Sequence, residues 1–321
     1  PSQVKDNLSP LVDVNIEMLG TSESGKTVIQ LAYASSLMGQ YLGSLMLAAK
    51  DSLSFNDIMM EIYERLASWQ SKANDITLIP KATETIVCLG DHDLVNMRFT
   101  DPVGHHVDSV TQNSDQQLKE QRQTYSDKLQ KANVILVAIP AVPTNRSMSD
   151  RLRWKHNITA ANNNLLHALR NRTEETQVSV GIIGTKIDIL GNSAEEVRAA
   201  LPDENLKECF APLIQTCNRP EVRHSAIIPV TASGFNTMQL YERPAADAAK
   251  EPLKGAREKL LGSEPKYLLK ADTIPVPYNI DTLFAWSLYA GIGPQLFEAE
   301  DGVVAKLRPA MEELSQRLSS K

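Results

Sequence analysis

The run Gly20 to Thr27, which reads Gly-Thr-Ser-Glu-Ser-Gly-Lys-Thr, restricts the fold of this chain more than any other feature. It follows a short apolar run, Val14–Leu19, that is typical of a strand. It precedes a stretch without charged residues, 27–49, that we interpret as a buried helix and its continuation. The two glycines allow positive φ angles and leave no Cβ in the way, so that successive N–H groups can point at one anion. The spacing G-x-x-x-x-G-K-[ST] between a strand and a helix therefore predicts a loop that wraps around a polyphosphate.

The side chains of this loop have expected roles in holding a nucleoside triphosphate. We expect the Lys26 ammonium to lie against the β- and γ-phosphates and the Thr27 hydroxyl to bind Mg²⁺. The positive end of the following helix dipole points at the same anion. The loop residues expected to contact the nucleotide are Gly20, Thr21, Ser22, Glu23, Ser24, Gly25, Lys26 and Thr27.

Strand and helix patterns alternate along the rest of the chain. Two β-rich runs, 84–90 and 94–100, flank a turn and indicate an antiparallel hairpin. Compact apolar runs that are typical of strands buried on both faces occur at 134–139, 178–183 and 226–230. Helical patterns occur at 55–70, 114–131, 150–170, 193–201, 206–217, 281–289 and 303–318. The sequence therefore predicts an α/β fold with an open, mostly parallel sheet, one antiparallel hairpin strand and helices on both faces.

Ligands of such sheets bind at the carboxyl ends of the strands, so the segments that follow the predicted strands are the candidates for a site. The second hairpin strand is followed by Asp101-Pro102-Val103-Gly104. We expect the Asp101 carboxylate to hold Mg²⁺ through a water molecule and the Gly104 N–H to meet the γ-phosphate.

Two further segments are expected to recognise the base. Thr185-Lys186-Ile187-Asp188 follows the run 178–183, and the Asp188 carboxylate can accept two hydrogen bonds from the N1 hydrogen and 2-amino group of guanine, which adenine does not offer. Thr231-Ala232-Ser233 follows the run 226–230, and the Ala232 N–H is expected to reach the guanine O6 atom. The residues expected at the base are Thr185, Lys186, Asp188, Thr231, Ala232 and Ser233.

These four segments, in this order and each just after a predicted strand, make the chain resemble a Ras-like P-loop GTPase of the translation-factor-related class. The resemblance covers residues 12–290 by motif order. The loop segment Glu23–Thr27 is similar to that of heterotrimeric G-protein α subunits, and the histidine after Gly104 is similar to that of translational GTPases. Pro277-Tyr278-Asn279 before an apolar helix resembles the bacterial double-GTPase group. The resemblance implies GTP and GDP binding, Mg²⁺, slow intrinsic hydrolysis and two switch segments.

Two residues depart from the pattern of this family. Thr185 stands where the family has Asn, so we expect the loss of a side-chain amide that braces the phosphate loop, and a weaker affinity for nucleotide. Ser22 stands at a position that is often Gly, where a side chain crowds the residue that positions water. We therefore expect very slow hydrolysis by the isolated chain.

The catalytic candidates follow from what phosphoryl transfer to water requires, which is positioning and charge neutralisation. His105 is expected to orient the attacking water, while the adjacent His106 is expected to have no role. The candidates for an arginine that neutralises the transition state are Arg65 and Arg98 in cis, or an arginine of a partner in trans. For each arginine of this chain, a solvated surface role is the stronger expectation.

A threonine of the first switch segment is expected to bind Mg²⁺ in the triphosphate state. We favour Thr83, because it directly precedes the predicted strand 84–90. Thr77 and Thr85 are alternatives that the sequence leaves open, as is an ordinary loop or strand role for each of the three.

Composition excludes several other classes of protein. A chain of 321 residues that is 42% hydrophobic and 22% charged is neither collagen-like nor disordered. The net charge of −6 argues against broad adhesion to nucleic acid or anionic lipid. The polar groups within 27–49 argue against a membrane span. Three cysteines without a CxxC pair and a polar segment 1–10 without a secretion signal favour a cytoplasmic location.

We therefore expect residues 1–295 to form a GTP-binding domain with helical insertions, and residues 296–321 to form a C-terminal helix packed on it or extending from it. The leading hypothesis is a GTP-hydrolysing switch that acts on a protein effector or regulator. The alternative is an interaction module that holds nucleotide with little or no hydrolysis. A small-molecule kinase is disfavoured, because no arginine-rich lid stands out and Asp188 would have no role.

Overall fold

The computed structural model describes residues 12–21, 24–37, 39–50, 56, 60, 81–101, 126–141, 148–200, 207–235, 237–241, 266–270, 275–298 and 303–319. A sheet with the strand order β2-β3-β4-β5-β1-β6-β7-β8 forms its centre, and a separate two-stranded sheet pairs β9 with β10. The strands are β1 (Val12–Leu19), β2 (Tyr41–Leu42), β3 (Leu45–Ala49), β4 (Lys81–Leu89), β5 (His92–Asp101), β6 (Val134–Pro140), β7 (Val178–Thr185), β8 (Val222–Pro229), β9 (Met238–Tyr241) and β10 (Lys266–Leu269).

Helices surround the sheet. Those whose bounds the structure gives are α1 (Lys26–Leu37), α2 (Met148–Leu169), α3 (Ala194–Ala200), α4 (Ala211–Cys217), α5 (Ile280–Glu298) and α6 (Val303–Ser319). A further helical stretch is described at 126–131, while most of the helix predicted at 55–70 lies outside the described residues.

The sheet is parallel in its centre and antiparallel at one side. β1 lies between β5 and β6 and runs parallel to both, and β6, β7 and β8 continue the parallel order. β4 pairs antiparallel with β5, which is the hairpin predicted from the sequence. The predicted α/β class, the mostly parallel sheet and the hairpin are confirmed.

The stretch 27–49, predicted to be a buried helix and its continuation, is a helix followed by two strands. Helix α1 ends at Leu37. The chain then turns at Gly39 before β2 and at Gly43 between β2 and β3, and the φ angles of these glycines are +75° and +66°. It returns as β2 and β3, and β3 pairs antiparallel with β4. The stretch lacks charges because the helix and the strand both face the core, not because one helix continues through it. Glycine at positive φ ends a helix without steric penalty.

Each face of the central strands packs against a different set of helices. On one face Val14, Ile16 and Met18 of β1 join a core with α1, α5 and α6. On the other face Leu19 and the alternate residues of β6 and β7 pack against α2 and α4. The expected domain boundary at residue 295 lies within α5, and α6 contributes Leu307 to the first of these cores.

One close approach between α5 and the sheet is possible because β7 carries a glycine. A Cβ on Gly181 would lie 2.8 Å from Cζ3 of Trp286 and 2.9 Å from Cδ2 of Leu136. On the opposite face of the same strand, a Cβ on Gly184 would lie 3.7 Å from the nearest atom, Cα of Pro229, which is an ordinary contact.

We predict that Gly181→Ala destabilises the protein and that Gly184→Ala does not. The new methyl group at residue 181 pushes against the indole ring, and overpacking of this kind costs about 1 to 3 kcal/mol. The alanine at residue 184 has room and restricts the unfolded chain. Urea unfolding monitored by circular dichroism measures both free energies, and equal stability of the two variants would contradict this account.

Candidate functional site

The sheet brings the predicted site segments to one edge. β1 ends directly before Gly20, β5 ends at Asp101, β7 ends at Thr185, and β8 ends two residues before Thr231. Because these strands run parallel, their carboxyl ends lie on the same side of the sheet. The expected residues Ser22, Glu23, Gly104 and His105 lie outside the described part of the chain, as does the side chain of Asp101.

The loop after β1 has a backbone that requires its two glycines. A Cβ on Gly20 would lie 2.6 Å from both the Ala138 carbonyl oxygen and Oγ of Ser24. Gly25 has a φ angle of +90°, which L-residues with a Cβ rarely adopt. The loop therefore curls tightly against β6 before α1 begins.

The Lys26 ammonium lies inside this curl. Its Nζ atom donates hydrogen bonds to the carbonyl oxygens of Gly20 and Thr21 at 3.0 and 2.8 Å, and a longer one to Oγ of Ser24 at 3.4 Å. The residue is buried, and the three acceptors carry no charge. These acceptors hold the Lys26 ammonium inside the loop. The Thr21 hydroxyl in the same loop is buried, and its oxygen has no hydrogen-bond partner among the described atoms.

Thr185 connects this loop to the base segment. It is the last residue of β7, and its hydroxyl donates a 2.7 Å hydrogen bond to the Ser24 carbonyl oxygen. The Thr185 hydroxyl therefore braces this loop in place of the side-chain amide that is lost, while the weaker affinity expected from that loss stays a prediction. A hydroxyl has one donor hydrogen, which is enough for this carbonyl.

Asp188 lies in the single turn Ile187–Ile189 that follows β7. The Ser233 hydroxyl donates to its Oδ2 atom at 3.3 Å, and the Ser233 and Thr231 hydroxyls are 3.1 Å apart. Burial raises the pKa of Asp188, while hydrogen bonds from the hydroxyls and its own N–H, together with the Lys186 charge, oppose that rise. The structure thus brings the segments 185–188 and 231–233 together, with Ala232 between the two hydroxyl-bearing residues.

Thr83 lies inside β4 and not directly before a strand as expected. Its hydroxyl accepts a 2.9 Å hydrogen bond from Nε2 of Gln30, which also donates to the Phe99 carbonyl oxygen at 3.1 Å. Gln30 lies nearly one helical turn beyond the half-buried Thr27 in α1. This bond places Thr83 against helix α1, and its role as a metal ligand stays a prediction.

The two alternatives for this metal ligand have different positions. Thr85 is buried on the α1 side of β4, and Thr77 lies outside the described residues. Of the two candidate arginines, Arg65 also lies outside the described residues, whereas Arg98 is exposed and lies 3.8 Å from a carboxylate oxygen of Glu84. The exposed position of Arg98 agrees with the expected surface role.

Glu17 was missed by the sequence interpretation. It belongs to β1 opposite Thr100 of β5, three positions before Gly20, and is only 4% exposed. Its Oε2 atom is buried without a hydrogen-bond partner among the described atoms. Burial raises the pKa of Glu17 to about 7, although the nearby charges of Lys128 and Arg98 act in the opposite direction. A charged residue inside the apolar run 14–19 was the signal that could have identified it.

Two structural features are absent from the described residues: a membrane-spanning helix and a cluster of metal-ligating side chains. Among the described residues no helix is both long enough and apolar enough to cross a membrane. Within the same residues, no group of three or more His, Cys, Asp or Glu side chains is placed to hold a metal ion.

No protein-family model matches the chain, and no curated protein matches its sequence.

We predict that Thr185→Val lowers the free energy of unfolding by about 1 kcal/mol or more, because it leaves the buried Ser24 carbonyl without its hydrogen bond. Thr159→Val is the control, because the exposed Thr159 hydroxyl donates to a carbonyl oxygen within helix α2. Urea unfolding measures both changes, and equal small losses in the two variants would show that the Thr185 bond is not a brace.

We predict that Glu17→Gln removes a component of the pH dependence of stability. The folded-state pKa of Glu17 lies above its unfolded value, so the favourable contribution of the protonated form is complete below about pH 4.5 and is lost as pH rises through about 7. Between pH 5 and pH 8 the native protein should lose on the order of 2 kcal/mol that the variant keeps.

Urea unfolding at four pH values across this range tests the Glu17 prediction. Glu312→Gln, which changes an exposed carboxylate on α6, serves as the matched control and should reproduce the native pH profile. If the Glu17 variant reproduces that profile as well, Glu17 is not the titrating group.

Proposed function

We propose that this chain binds GTP with Mg²⁺ and hydrolyses it to GDP and phosphate, and that the bound nucleotide switches its interaction with a protein partner. The observation that carries the proposal is the hydrogen bond between the Thr185 hydroxyl and the Ser24 carbonyl. It links the loop around Lys26 to the segment that carries Asp188, so that one ligand can contact both. A separate anion site and a separate base site would not need such a link.

The loop fits the phosphates of a nucleotide. A Cβ at Gly20 would fill part of the cradle, and the Thr21 hydroxyl is buried without a partner among the described atoms, as expected of a group that can meet a polar ligand. The first turn of α1 adds N–H groups that have no partner within the helix. Lys26 supplies the positive charge, which favours a polyanion over a neutral ligand.

The base segments favour guanine. The Asp188 carboxylate accepts hydrogen bonds, and guanine offers two donors on one edge, whereas adenine presents an acceptor nitrogen there. The Ser233 hydroxyl orients this carboxylate through its 3.3 Å bond. The Ala232 N–H, in the loop beside it, is the donor that we assign to the guanine O6 atom.

Hydrolysis requires a positioned water molecule and neutralisation of the phosphate oxygens. We assign Thr27 and Asp101 to Mg²⁺, with Thr83 or another threonine added when the first switch segment closes. The bound Mg²⁺ supplies positive charge to the phosphate oxygens. We assign the N–H of Gly104 to the γ-phosphate and His105 to the orientation of water.

On these assignments we propose that the chain is a Ras-like P-loop GTPase related to translation factors. The mostly parallel sheet in which β1 lies between β5 and β6, the antiparallel β4–β5 pair and the helices on both faces are consistent with that family. The retained brace at Thr185 removes one reason to prefer a module that only holds nucleotide. Hydrolysis of bound GTP would separate the two hypotheses directly.

We predict that the purified chain binds GTP more tightly than ATP when Mg²⁺ is present, and that Lys26→Ala weakens GTP binding by about ten-fold or more, because it removes charge-assisted hydrogen bonds to phosphate. Isothermal titration measures both affinities. Lys131→Ala removes an exposed lysine just before the amino end of β6, on the side of the sheet opposite the strand ends that carry the site, and should bind GTP as the native chain does. Failure to bind either guanine nucleotide would refute the proposed function.

We further predict that His105→Ala slows phosphate release from bound GTP while the dissociation constant for GTP stays unchanged. Single-turnover measurements with an excess of protein separate these two quantities. An unchanged rate would exclude His105 from the orientation of water, and complete absence of turnover in the native chain would favour the nucleotide-holding module.

A further inference from the structure

The base loop, which we define as residues 231–234, is hydrogen-bonded to a segment more than 40 residues further along the chain. We call residues 275–279 the return segment, because they bring the chain back to the base loop just before α5 begins. Tyr278 and Thr231 form an antiparallel bridge. The Tyr278 N–H donates to the Thr231 carbonyl oxygen at 2.9 Å, and the Thr231 N–H donates to the Tyr278 carbonyl oxygen at 3.4 Å. The Val276 N–H donates to the Ser233 carbonyl oxygen at 3.2 Å.

Gly234 allows this close approach. Its φ angle is +85°, and a Cβ at this position would collide with the Val276 carbonyl oxygen. The Gly234 N–H donates to the Thr231 hydroxyl at 3.1 Å, which closes the loop on itself. Thr237 adds a third support, because its hydroxyl lies within 3.0 and 3.1 Å of the carbonyl oxygens of Ser233 and Gly234.

Asn279 fixes the end of the return segment. It has a φ angle of +60°, and its side-chain Nδ2 atom donates to the carbonyl oxygen of Pro229, two residues before the base loop, at 2.9 Å. The Asn279 carbonyl oxygen then accepts the N–H of Leu283 in the first turn of α5. Both ends of the base loop are thus tied to one rigid element, since Leu283 lies in the main core.

A small apolar cluster extends this support to Asp188. The Phe235 and Tyr278 rings contact each other with centroids 5.1 Å apart, and both pack against the cluster that contains buried Ile187. Ile187 directly precedes Asp188, so the same two rings support the segment that carries the carboxylate. The return segment therefore contacts both halves of the base site without containing a group assigned to the base.

We propose that the return segment is a positioning element for base recognition, and that the preference for guanine over adenine depends on it. This inference rests on the proposed function. Selection between the two bases requires the Asp188 carboxylate and the Ala232 N–H to stand at a fixed separation, because a displaced donor or acceptor no longer distinguishes them. The phosphate loop, which Lys26 and Thr185 organise, does not touch the return segment through any of these bonds.

The test uses the full chain and three ligands: GTP, ATP and inorganic tripolyphosphate, each with Mg²⁺. Gly234→Ala forces the base loop away from Val276. Asn279→Gly keeps a residue that tolerates positive φ but removes the side-chain donor. In both variants we expect the ratio of ATP to GTP dissociation constants to fall by about ten-fold or more, while the tripolyphosphate affinity stays within about two-fold of the native value.

Val276→Thr is the matched control. This residue is 70% exposed and acts through its backbone, so a side chain of the same shape should leave all three affinities unchanged. The thermal midpoint of each variant is measured as well, and Asn279→Gly supplies the answer if Gly234→Ala fails to fold.

Three results would overturn the inference. Native selectivity in both variants would show that the return segment does not position the base loop. A parallel loss of affinity for all three ligands, with a lowered thermal midpoint, would show that its role is structural support alone. If the native chain binds tripolyphosphate but does not distinguish GTP from ATP, the assignment of guanine fails and this inference fails with it. A negative result in the variants alone overturns only this inference and leaves the proposed function standing.

Discussion

The buried ammonium of Lys26 is the charge on which the organisation of the candidate site depends. Removing a cation from water is costly, and the carbonyl oxygens of Gly20 and Thr21 compensate it only because the loop curls around the side chain. That curl needs glycine where β6 comes close and again where φ is positive. The position of the loop is in turn set by β1, which lies between β5 and β6 in the parallel part of the sheet.

The described contacts between the two halves of the candidate site run through hydroxyl groups and backbone. Thr185 reaches the phosphate loop, Ser233 reaches Asp188, and the Thr231 and Ser233 hydroxyls lie against each other. Short hydroxyl side chains lose little conformational entropy when they are fixed, and each satisfies one buried polar group. A network of this kind holds geometry without adding charge that would compete with a ligand.

The same sheet also carries polar groups that the site does not use in our account. The Asn15 N–H donates a hydrogen bond to Oδ1 of Asn133, and on the face opposite α1 Nδ2 of Asn96 donates to Oδ1 of Asp13. Glu17 lies on the same face of β1 but is buried, and its raised pKa expresses the free energy of keeping a carboxylate away from water. Glu17 lies on β1 three residues before the loop that holds Lys26, so the protonation of Glu17 bears on the stability of that region.

The sequence by itself determined the glycine-containing loop between β1 and α1, the alternation of strands and helices, the hairpin and the positions of the segments 185–188 and 231–233 after strands, because each depends on local spacing, periodicity or glycine. It did not determine that the uncharged stretch 27–49 divides into a helix and two strands, since an apolar residue satisfies either element when both face a core. It also did not reveal that a threonine hydroxyl braces Ser24, that Gln30 holds Thr83, or that residues 275–279 return to the base loop. Those contacts join residues far apart in the chain, and only the packed sheet brings them within hydrogen-bonding distance.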